Sequence, residues 1–211
     1  MDPYLETIRT FDSQAIGYQQ KYMDVTHYSE GLSALTSILP KDAVVLEAGC
    51  GPGNVTRFLL NMRPDLKILA TDAAPAMLEL ARKNNPDAIL QQVDAREIHQ
   101  LSGRFDAIIC AFLLPYLSMD DTIKLMKDCY QLLNPGGHLY LSTMEGDYST
   151  SGYRFSSDGK HRCFQYFYPA DVLRQLLLDN NYTVRYFSTQ AFPPAGLTMA
   201  TDLIFIATKN D

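Results

Sequence analysis

The sequence predicts an α/β fold in which a mostly parallel central sheet is covered by helices on both faces. Short apolar runs that suit strands alternate with amphipathic stretches that suit helices through most of the 211 residues. The run 105–111 (FDAIICA) is apolar almost without interruption, which is typical of a parallel strand covered on both faces. At 44–54 a short strand leads into a glycine-rich turn and then a helical pattern. That order of strand, turn and helix suits such a sheet.

Length and composition indicate one globular domain with a full core. Hydrophobic residues make up 46% of the chain and charged residues 20%, so the chain is globular rather than disordered. The formal net charge is −6. Proteins that bind nucleic acid normally carry a basic surface, and this composition shows none, so RNA or DNA is not the expected substrate.

The cysteines and the apolar segments suggest a cytoplasmic protein. The four cysteines form no C-x-x-C pair and lie in unlike contexts, which argues against a metal or disulfide framework and favours a reducing compartment. The first residues lack the basic and apolar regions of a signal peptide. No stretch approaches the ~18 apolar residues that are needed to cross a bilayer. We therefore expect a protein of the cytoplasm.

The glycine-rich turn at 47–54 (EAGCGPGN) has the features of a ligand site. Glycine lets the backbone approach a ligand where a Cβ atom would clash, and the helix that follows presents free N–H groups. The next apolar run, 68–72 (ILATD), ends at Asp72, nineteen residues after Gly53. A carboxylate there can accept hydrogen bonds from both ribose hydroxyls of an adenosine-containing ligand.

The spacing of the glycines distinguishes between two classes of adenosine ligand. Turns that bind dinucleotides follow G-x-G-x-x-G, and their third glycine falls where this chain has Asn54. This chain has G-x-G-x-G from Gly49 onward, with Glu47 two residues before it. An acid beside the turn repels a pyrophosphate and suits a ligand that carries an ammonium and a sulfonium group. A nicotinamide oxidoreductase is therefore the weaker alternative.

The stretch EAGCGPG at 47–53 resembles motif I of the class I S-adenosylmethionine (SAM)-dependent methyltransferases. The resemblance spans about 11–208, with its specific motifs at 47–116. It implies a Rossmann-like α/β fold with a seven-stranded mixed sheet in the order 3-2-1-4-5-7-6, whose last strand is antiparallel. It also implies SAM as the cofactor and methyl transfer by in-line displacement. A SAM-binding regulatory or interaction protein without turnover is a second alternative, because no catalytic base is evident.

The resemblance assigns the cofactor-binding residues. In the family, an acid after the third strand binds the exocyclic amine of adenine. The backbone N–H of the next residue contacts the adenine ring. Asp94 and Ala95 match this pattern. Asp94 also suits the N-cap of a short helix at 95–100, and one carboxylate could do both. The complete set of expected cofactor-binding residues is Tyr18, Glu47, Gly49, Gly51, Gly53, Asp72, Ala73, Met77, Asp94, Ala95 and Ala111.

Residues 1–40 are predicted to form a helical lid. Residues 4–38 are predicted to be helical, with Tyr4, Leu5 and Ile8 on one face, and Ser13 could cap a helix that runs to about Met23. The segment 11–18 (FDSQAIGY) is similar to the one that precedes motif I in many small-molecule methyltransferases, where it forms a lid whose tyrosine faces SAM. Carried over, that tyrosine is Tyr18. Simple packing of the aromatic residues on the sheet is the alternative interpretation.

The remaining residues, 41–211, are predicted to form the SAM-binding domain with an inserted hairpin at about 144–168. The insertion breaks the alternation of strands and helices, and segments of that length usually have a function or a structure of their own. Two β-rich aromatic runs flank Asp158-Gly159, which is a strong signal for a tight turn. In the family, the region after the fifth strand commonly covers the substrate, so we expect the hairpin to roof the acceptor pocket.

The sequence defines the acceptor less well than the cofactor. The methyl group of a sulfonium is already activated, so a general base is needed only where the nucleophile arrives protonated. The candidate bases are Tyr116, His161, Tyr166 and Asp147. No carboxylate cluster follows Ala111, so no metal is expected. The aromatic hairpin suggests a small, partly apolar acceptor, with no nucleic acid or membrane partner and a monomeric or homodimeric state.

Overall fold

The structure, a computed structural model, describes residues 2–156, 159–192 and 200–210. Within them the α-helices are α1 (Pro3–Tyr22), α2 (Ser29–Ile38), α3 (Asn54–Met62), α4 (Pro75–Asn84), α5 (Met119–Leu132) and α6 (Ala170–Asp179). The strands are β1 (Val44–Ala48), β2 (Lys67–Asp72), β3 (Ile89–Gln92), β4 (Phe105–Ala111), β5 (Leu133–Met144), β6 (Gly152–Phe155), β7 (Arg162–Gln165), β8 (Tyr182–Phe192) and β9 (Ala200–Lys209). Short 3-10 helices occupy Thr26–Tyr28, Ala95–Gln100, Leu114–Tyr116 and Tyr148–Thr150.

The central sheet confirms the predicted α/β fold. Its seven strands lie in the order β3-β2-β1-β4-β5-β9-β8, which is the predicted order 3-2-1-4-5-7-6 when the separate hairpin of β6 and β7 is set aside. The first five strands pair in parallel, and β9 runs antiparallel between β5 and β8. The segments that follow β1, β2, β3 and β4 therefore meet at one edge of the sheet, its carboxyl edge.

Burial on both faces explains why the parallel strands are so apolar. Along β4, Ile108 and Cys110 pack into a core with residues of α5 and α6, whereas Ala107 and Ile109 pack into a second core with residues of α2, α3 and α4. All four side chains are fully buried. An apolar residue is therefore required at every position here rather than at alternate ones.

Helix α1 is capped by Asp2 and not by Ser13. It begins at Pro3, close to the predicted helical start at residue 4, and Asp2 accepts a hydrogen bond from the backbone N–H of Tyr4 (3.0 Å). Ser13 lies inside the helix, and its hydroxyl donates to the carbonyl of Thr10. The suggested cap at Ser13 was wrong because an aspartate followed by proline is the stronger N-terminal signal.

Helix α1 is attached to both ends of α4. The carboxylate of Asp12 accepts a hydrogen bond from the backbone N–H of Ala76 (2.7 Å), in the first turn of α4. At the other end, the side-chain amide of Asn84 donates to the side-chain oxygen of Gln19 (2.8 Å). Because Asp12 bonds to the start of α4 and Gln19 bonds to its end, α1 runs alongside α4 in the same direction and is part of the folded body.

The predicted hairpin is present as the antiparallel pair of β6 and β7. Asp158, in its predicted turn, lies outside the described residues. The hairpin packs against α1: the backbone N–H of Phe164 donates to the hydroxyl of Thr7 (3.1 Å), and the hydroxyl of Thr10 donates to the carbonyl of Arg162 (2.7 Å). Helix α1 is therefore held between α4 and the hairpin.

The cysteines carry no covalent link. Cys50, Cys110 and Cys129 are buried free thiols, and Cys163 is a partly exposed one. Among the described residues, no helix combines the length and the apolar character that a membrane span requires.

We expect the bond between Asp12 and Ala76 to contribute to stability. Replacing Asp12 by Ala removes the acceptor of an N–H in the first turn of α4, and the loss of such a cap costs about 1 kcal/mol. Urea denaturation should show the free energy of unfolding falling by about that amount. The control Ser13→Ala removes an exposed hydroxyl of the same helix and should change it by less than about 0.5 kcal/mol. Equal effects of the two substitutions would contradict the role given to Asp12.

Candidate functional site

A pocket with about 630 Å³ of empty space lies at the carboxyl edge of the sheet, beneath α1. On the sheet side, the turn after β1 contributes Gly49 and Gly51, the end of β2 contributes Asp72, and the end of β4 contributes Ala111. The side chains that α1 contributes are Tyr4, Thr7, Ile8, Phe11 and Tyr18.

Eight of the eleven predicted cofactor-binding residues line this one pocket. These eight are Tyr18, Gly49, Gly51, Asp72, Ala73, Met77, Ala95 and Ala111. The other three, Glu47, Gly53 and Asp94, lie close by without lining it, and each has a different set of contacts. The fold thus brings together residues from α1, α4 and the ends of several strands, as the parallel arrangement requires.

Gly51 leaves open space above its backbone. Its φ is +54°, in the left-handed region that favours glycine. A Cβ atom at this position would meet only the ring of Tyr18, at 3.8 Å, within a radius of 4 Å. Its backbone N–H donates to Oδ2 of Asp72 (2.8 Å). The missing side chain therefore leaves room that a ligand can occupy against the backbone.

Gly53 serves helix packing rather than the pocket. Its φ is +78°, and a Cβ atom would lie 2.2 Å from Nδ2 of Asn85 and 3.2 Å from Cβ of Ala81. The side-chain amide of Asn85 donates to the carbonyl of Gly53 (2.9 Å). The third glycine of the motif therefore allows the start of α3 to pack closely against the end of α4.

Asp72 presents its carboxylate to the pocket from the end of β2. Oδ1 accepts a hydrogen bond from the backbone N–H of Ala74 (2.8 Å), and Oδ2 accepts the one from Gly51. Burial raises the pKa of Asp72, and the backbone donors partly oppose that rise. A carboxylate oxygen can accept more than one hydrogen bond, so both oxygens retain capacity for ligand hydroxyls.

Glu47 is buried beneath the turn, with 1% of its surface exposed. Its Oε2 accepts a hydrogen bond from the hydroxyl of Thr56 in α3. Burial raises the pKa of Glu47 to about 8; the bond from Thr56 opposes this rise, and the nearby charge of Asp72 adds to it. Glu47 is therefore mostly a neutral acid at pH 7. Its predicted contact with the cofactor stays a prediction.

Asp94 takes the capping role that the sequence allowed for it. Its Oδ1 accepts hydrogen bonds from the backbone N–H of Arg96 and from the hydroxyl of Tyr4, both at 2.8 Å. Arg96 also forms an ion pair with Asp94 (3.2 Å), and its guanidinium lies 3.9 Å from the centre of the Tyr4 ring. Tyr4 lines the pocket and Asp94 does not. The contact of Asp94 with adenine stays a prediction.

Aromatic rings form the α1 side of the pocket. The ring of Phe11 lies edge-on to Tyr18 (5.5 Å between ring centres) and to Tyr116 (4.7 Å). All three rings line the pocket. The sequence reading identified Tyr18 but did not identify Phe11 as a site residue. The signal was available, because residues seven apart lie on the same face of a helix.

Three of the four candidate bases, Tyr116, His161 and Tyr166, have different surroundings. Tyr116 lines the pocket, and burial raises the pKa of its phenol well above the usual value, so it is neutral. His161 lies beside the hairpin turn, with Nε2 3.0 Å from the side-chain amide of Gln14. Tyr166 stacks on Tyr148 with 5.8 Å between ring centres and packs against the core beside α5.

The described part of the hairpin supports the pocket from outside and does not line it. Besides its contacts with α1, the backbone N–H of Tyr166 donates to the carbonyl of Pro115 (2.7 Å), next to Tyr116. Asp147, ahead of the hairpin, caps a short helix by accepting a hydrogen bond from the backbone N–H of Ser149 (2.8 Å). The role of the hairpin as a roof over the acceptor stays a prediction.

Phe112 is a strained residue that the sequence reading did not select. It lines the pocket with a φ of +51°, which is unusual for a residue other than glycine. Its backbone N–H donates to the carbonyl (2.9 Å) and the hydroxyl (3.2 Å) of Ser142 in β5. Strain of this kind occurs preferentially at functional sites. No local signal in the sequence marks a phenylalanine for this conformation.

Comparison with known proteins assigns this geometry to a family. Residues 45–137 match the family described as "Methyltransferase domain". The segment 45–137 is thus similar to a methyltransferase domain. The matched residues include the glycine-rich turn, the ends of β2 and β4 and the start of β5. Helix α1 and the hairpin lie outside the match.

Two curated methyltransferases are similar to about half of the chain. The ubiquinone biosynthesis O-methyltransferase of Xanthomonas axonopodis pv. citri is 32% identical over 111 residues, which are 50% of this chain and 44% of the relative. The tRNA N(3)-methylcytidine methyltransferase of Schizosaccharomyces pombe is 28% identical over 123 residues, which are 54% of this chain and 50% of the relative. The chain thus spans about half the length of the curated relatives that it matches.

A solved structure shares the whole fold. The magnesium protoporphyrin IX methyltransferase of Synechocystis, solved with bound SAM, matches with a TM-score of 0.71 at 15% sequence identity. The match covers 100% of this chain and 98% of that one. At this identity the likeness shows the fold alone. The names of these three proteins refer to unlike acceptors, so the methyltransferase fold by itself does not define the acceptor.

We expect the glycines of the turn to differ in what they do. Gly53→Ala should lower the free energy of unfolding by more than about 2 kcal/mol, because a left-handed backbone costs about 1–2 kcal/mol and the clash with Asn85 adds to it. Gly51→Ala should cost only the backbone part but weaken S-adenosylhomocysteine (SAH) binding at least tenfold. The control Gly136→Ala has a φ of +70° and no neighbour within 4 Å, and should leave SAH affinity unchanged.

Urea denaturation and calorimetry measure these two properties separately. Unchanged SAH affinity in a folded Gly51→Ala variant would exclude this turn as the cofactor site. A stability loss in Gly53→Ala no larger than that of Gly136→Ala would contradict the packing role of Gly53.

The buried acid predicts that stability depends on pH. The pKa of Glu47 is about 8 in the fold, against about 4.3 for an unfolded glutamate. Its contribution to stability is therefore fully present below about pH 4 and is lost as the pH rises through 8, at up to about 1.4 kcal/mol per pH unit. Glu47→Gln stays neutral and should lack this decline, so it should exceed the wild type in stability above pH 8. Urea denaturation between pH 5 and 9 measures the difference, and parallel curves would contradict the assignment.

Proposed function

We propose that the chain is an enzyme that transfers the methyl group of SAM to a small, partly apolar acceptor. The single observation that carries this proposal is the pocket beneath α1, which collects Gly51, Asp72, Ala95 and Ala111 at the carboxyl edge of the sheet. All four of these residues lie in the segment that matches the methyltransferase domain. A nicotinamide oxidoreductase loses support because that match is to a different family.

The residues present suit SAM in both shape and polarity. The open backbone at Gly51 would accommodate the ligand, and the carboxylate of Asp72 would accept hydrogen bonds from its ribose hydroxyls. Met77 and Ala95 would supply apolar surface for the adenine ring. Bound there, SAM supplies a methyl group already activated by its sulfonium. The chain's own residues then need to orient the acceptor and exclude water.

Residues on the α1 side of the pocket exclude water from the bound reactants. Phe11 and Tyr18 from α1, together with Tyr116 from the short helix after β4, give the pocket an aromatic boundary. The contacts of α1 with α4 and with the hairpin hold this boundary in place. Holding two reactants in line can lower a barrier by about 7–11 kcal/mol in well-oriented systems, so alignment alone supports an appreciable rate.

We infer a small acceptor from the position of α1 and from the charge of the chain. Helix α1 covers the pocket, so a large substrate would have to displace it. The net charge of −6 disfavours binding to a polyanion. The relative named as a tRNA methyltransferase matches half of this chain, so its substrate is an alternative that the acceptor assay must include. We also infer a reducing, cytoplasmic setting, because all four cysteines are free thiols.

The cofactor assignment is tested by calorimetry. The wild type should bind SAM and SAH and should not bind NAD. Asp72→Ala removes bonds between a carboxylate and ribose hydroxyls, which are worth roughly 1.5–3 kcal/mol, so SAH affinity should fall about tenfold to a hundredfold. The control Asp120→Ala removes an exposed acid in the first turn of α5 and should leave affinity unchanged. An unchanged affinity of Asp72→Ala would refute the role of Asp72.

The turnover assignment is tested with radiolabelled SAM and a panel of phenols, amines and thiols, with tRNA as a separate arm. Transfer to any small compound supports the proposal, and transfer to tRNA alone refutes the small acceptor. SAM binding without transfer to any member supports the alternative of a SAM-binding regulatory or interaction protein.

A further inference from the structure

A buried acid stands at the carboxyl edge of the sheet outside the proposed cofactor contacts. Asp202, near the start of β9, has 2% of its surface exposed. It pairs with Met144, the last residue of β5, so it lies at the same edge as the segment that follows β4. Burial raises the pKa of its carboxyl group. None of the contacts assigned to SAM uses this group.

The hydroxyl of Tyr28 donates its hydrogen bond to this acid, which limits the hydrogen bonds it can form with other groups. Its hydroxyl donates to Oδ2 of Asp202 (2.7 Å). Tyr28 ends the 3-10 helix Thr26–Tyr28 between α1 and α2, and its side chain is only partly buried. A phenol has a single hydrogen. Because that hydrogen is committed to Asp202, the Tyr28 oxygen can only accept a hydrogen bond from another molecule.

Phe112 connects the pair to the cofactor pocket. Its ring lies 4.9 Å from the ring of Tyr28, and the same residue lines the pocket. The two bonds from its backbone N–H to Ser142 hold it at a positive φ. Such a conformation persists only where the surroundings enforce it. The ring of Tyr28 therefore packs against a residue that lines the space proposed for SAM.

We propose that the Tyr28 hydroxyl receives the nucleophilic atom of the methyl acceptor and that Asp202 is a positioning residue that keeps this hydroxyl a hydrogen-bond acceptor. It follows that the acceptor carries a hydrogen on its nucleophilic atom, as a hydroxyl or an amine N–H does. The inference rests on the proposed methyl transfer and narrows its substrate class. It gives the reaction a base that the sequence did not reveal.

The proton has a defined path in this reaction. The lone pair of the acceptor oxygen or nitrogen forms the bond to the methyl carbon, while the S–CH₃ bond breaks and its electron pair stays on sulfur. The proton of the acceptor passes to the Tyr28 oxygen as the Tyr28 proton passes to the Asp202 carboxylate. Release of that proton from Asp202 to solvent restores the pair. Charge and atoms balance without any further reactant.

The groups around the pair are identifiable. His27 interacts electrostatically with Asp202, and Tyr140 and Tyr18 interact with Tyr28. Burial raises the pKa values of both Tyr140 and Tyr18, so they stay neutral at ordinary pH. If activity falls at low pH, separate substitutions of Asp202 and His27 therefore show which of the two residues is responsible.

The test uses the full chain, SAH calorimetry and radiolabelled methyl transfer. The panel contains catechol, 4-nitrophenol and phenethylamine as compounds with a hydrogen on the nucleophile, and dimethyl sulfide and trimethylamine as compounds without one. The wild type should methylate a member of the first group. With that member, Tyr28→Phe should lower kcat/KM at least tenfold and leave SAH affinity within twofold. Tyr186→Phe is the matched control, because its hydroxyl also bonds a carboxylate, that of Glu30 (3.4 Å). It should leave kcat/KM unchanged.

The pH profile separates positioning from mere packing. In the wild type, kcat/KM should fall at low pH as Asp202 takes up a proton. Asp202→Asn should lower kcat and remove this acid limb, while His27→Gln should retain it. An acid limb that survives in Asp202→Asn overturns the role of Asp202.

Three further outcomes overturn the inference. They are full turnover by Tyr28→Phe, a loss of SAH affinity in that variant as large as its loss of turnover, and methylation confined to dimethyl sulfide or trimethylamine. A wild type that binds SAH and methylates no panel member also overturns it, with cofactor binding intact. Failure of the wild type to bind SAH overturns the proposed function itself, so the two failures are distinguishable.

Discussion

The site depends on one hydrogen bond, from the backbone N–H of Gly51 to the carboxylate of Asp72 (2.8 Å). It joins the turn after β1 to the end of β2. A second bond, from the N–H of Cys50 to the carbonyl of Thr71 (2.8 Å), lies directly beside it. Both bonds require β1 and β2 to be parallel neighbours, because only then do a strand end and the following turn meet at one edge. The order of the central strands is thus what creates the pocket floor.

Helix α1 completes the pocket through bonds to elements far from it in sequence. Asp12 bonds to α4, Tyr4 bonds to Asp94 after β3, and Thr7 and Thr10 bond to β7. The inserted hairpin therefore acts on the pocket through α1 and through the segment at Pro115, not through residues of its own among those described. An insertion after β5 can in this way change the α1 side of the pocket without contacting the glycine-rich turn.

The two sides of the pocket differ in origin. The cofactor side lies within the segment that matches the methyltransferase domain, and it carries the motif that the sequence reveals. The opposite side consists largely of α1, which lies outside that match. The names of the proteins that this chain resembles refer to a quinone pathway, a tRNA and a porphyrin. We expect the α1 side of the pocket to determine which acceptor is methylated.

The sequence by itself determined the sheet, its glycine-rich turn and the acid at the end of β2, because strand and helix periodicity and turn chemistry are local properties. Spacing could not separate Gly51 from Gly53, since one faces the pocket and the other packs against Asn85. Only the tertiary structure decided that difference. It also decided the bond between Tyr28 and Asp202, which are 174 positions apart. Such a contact depends on how distant elements pack, and no local pattern along the chain encodes that packing.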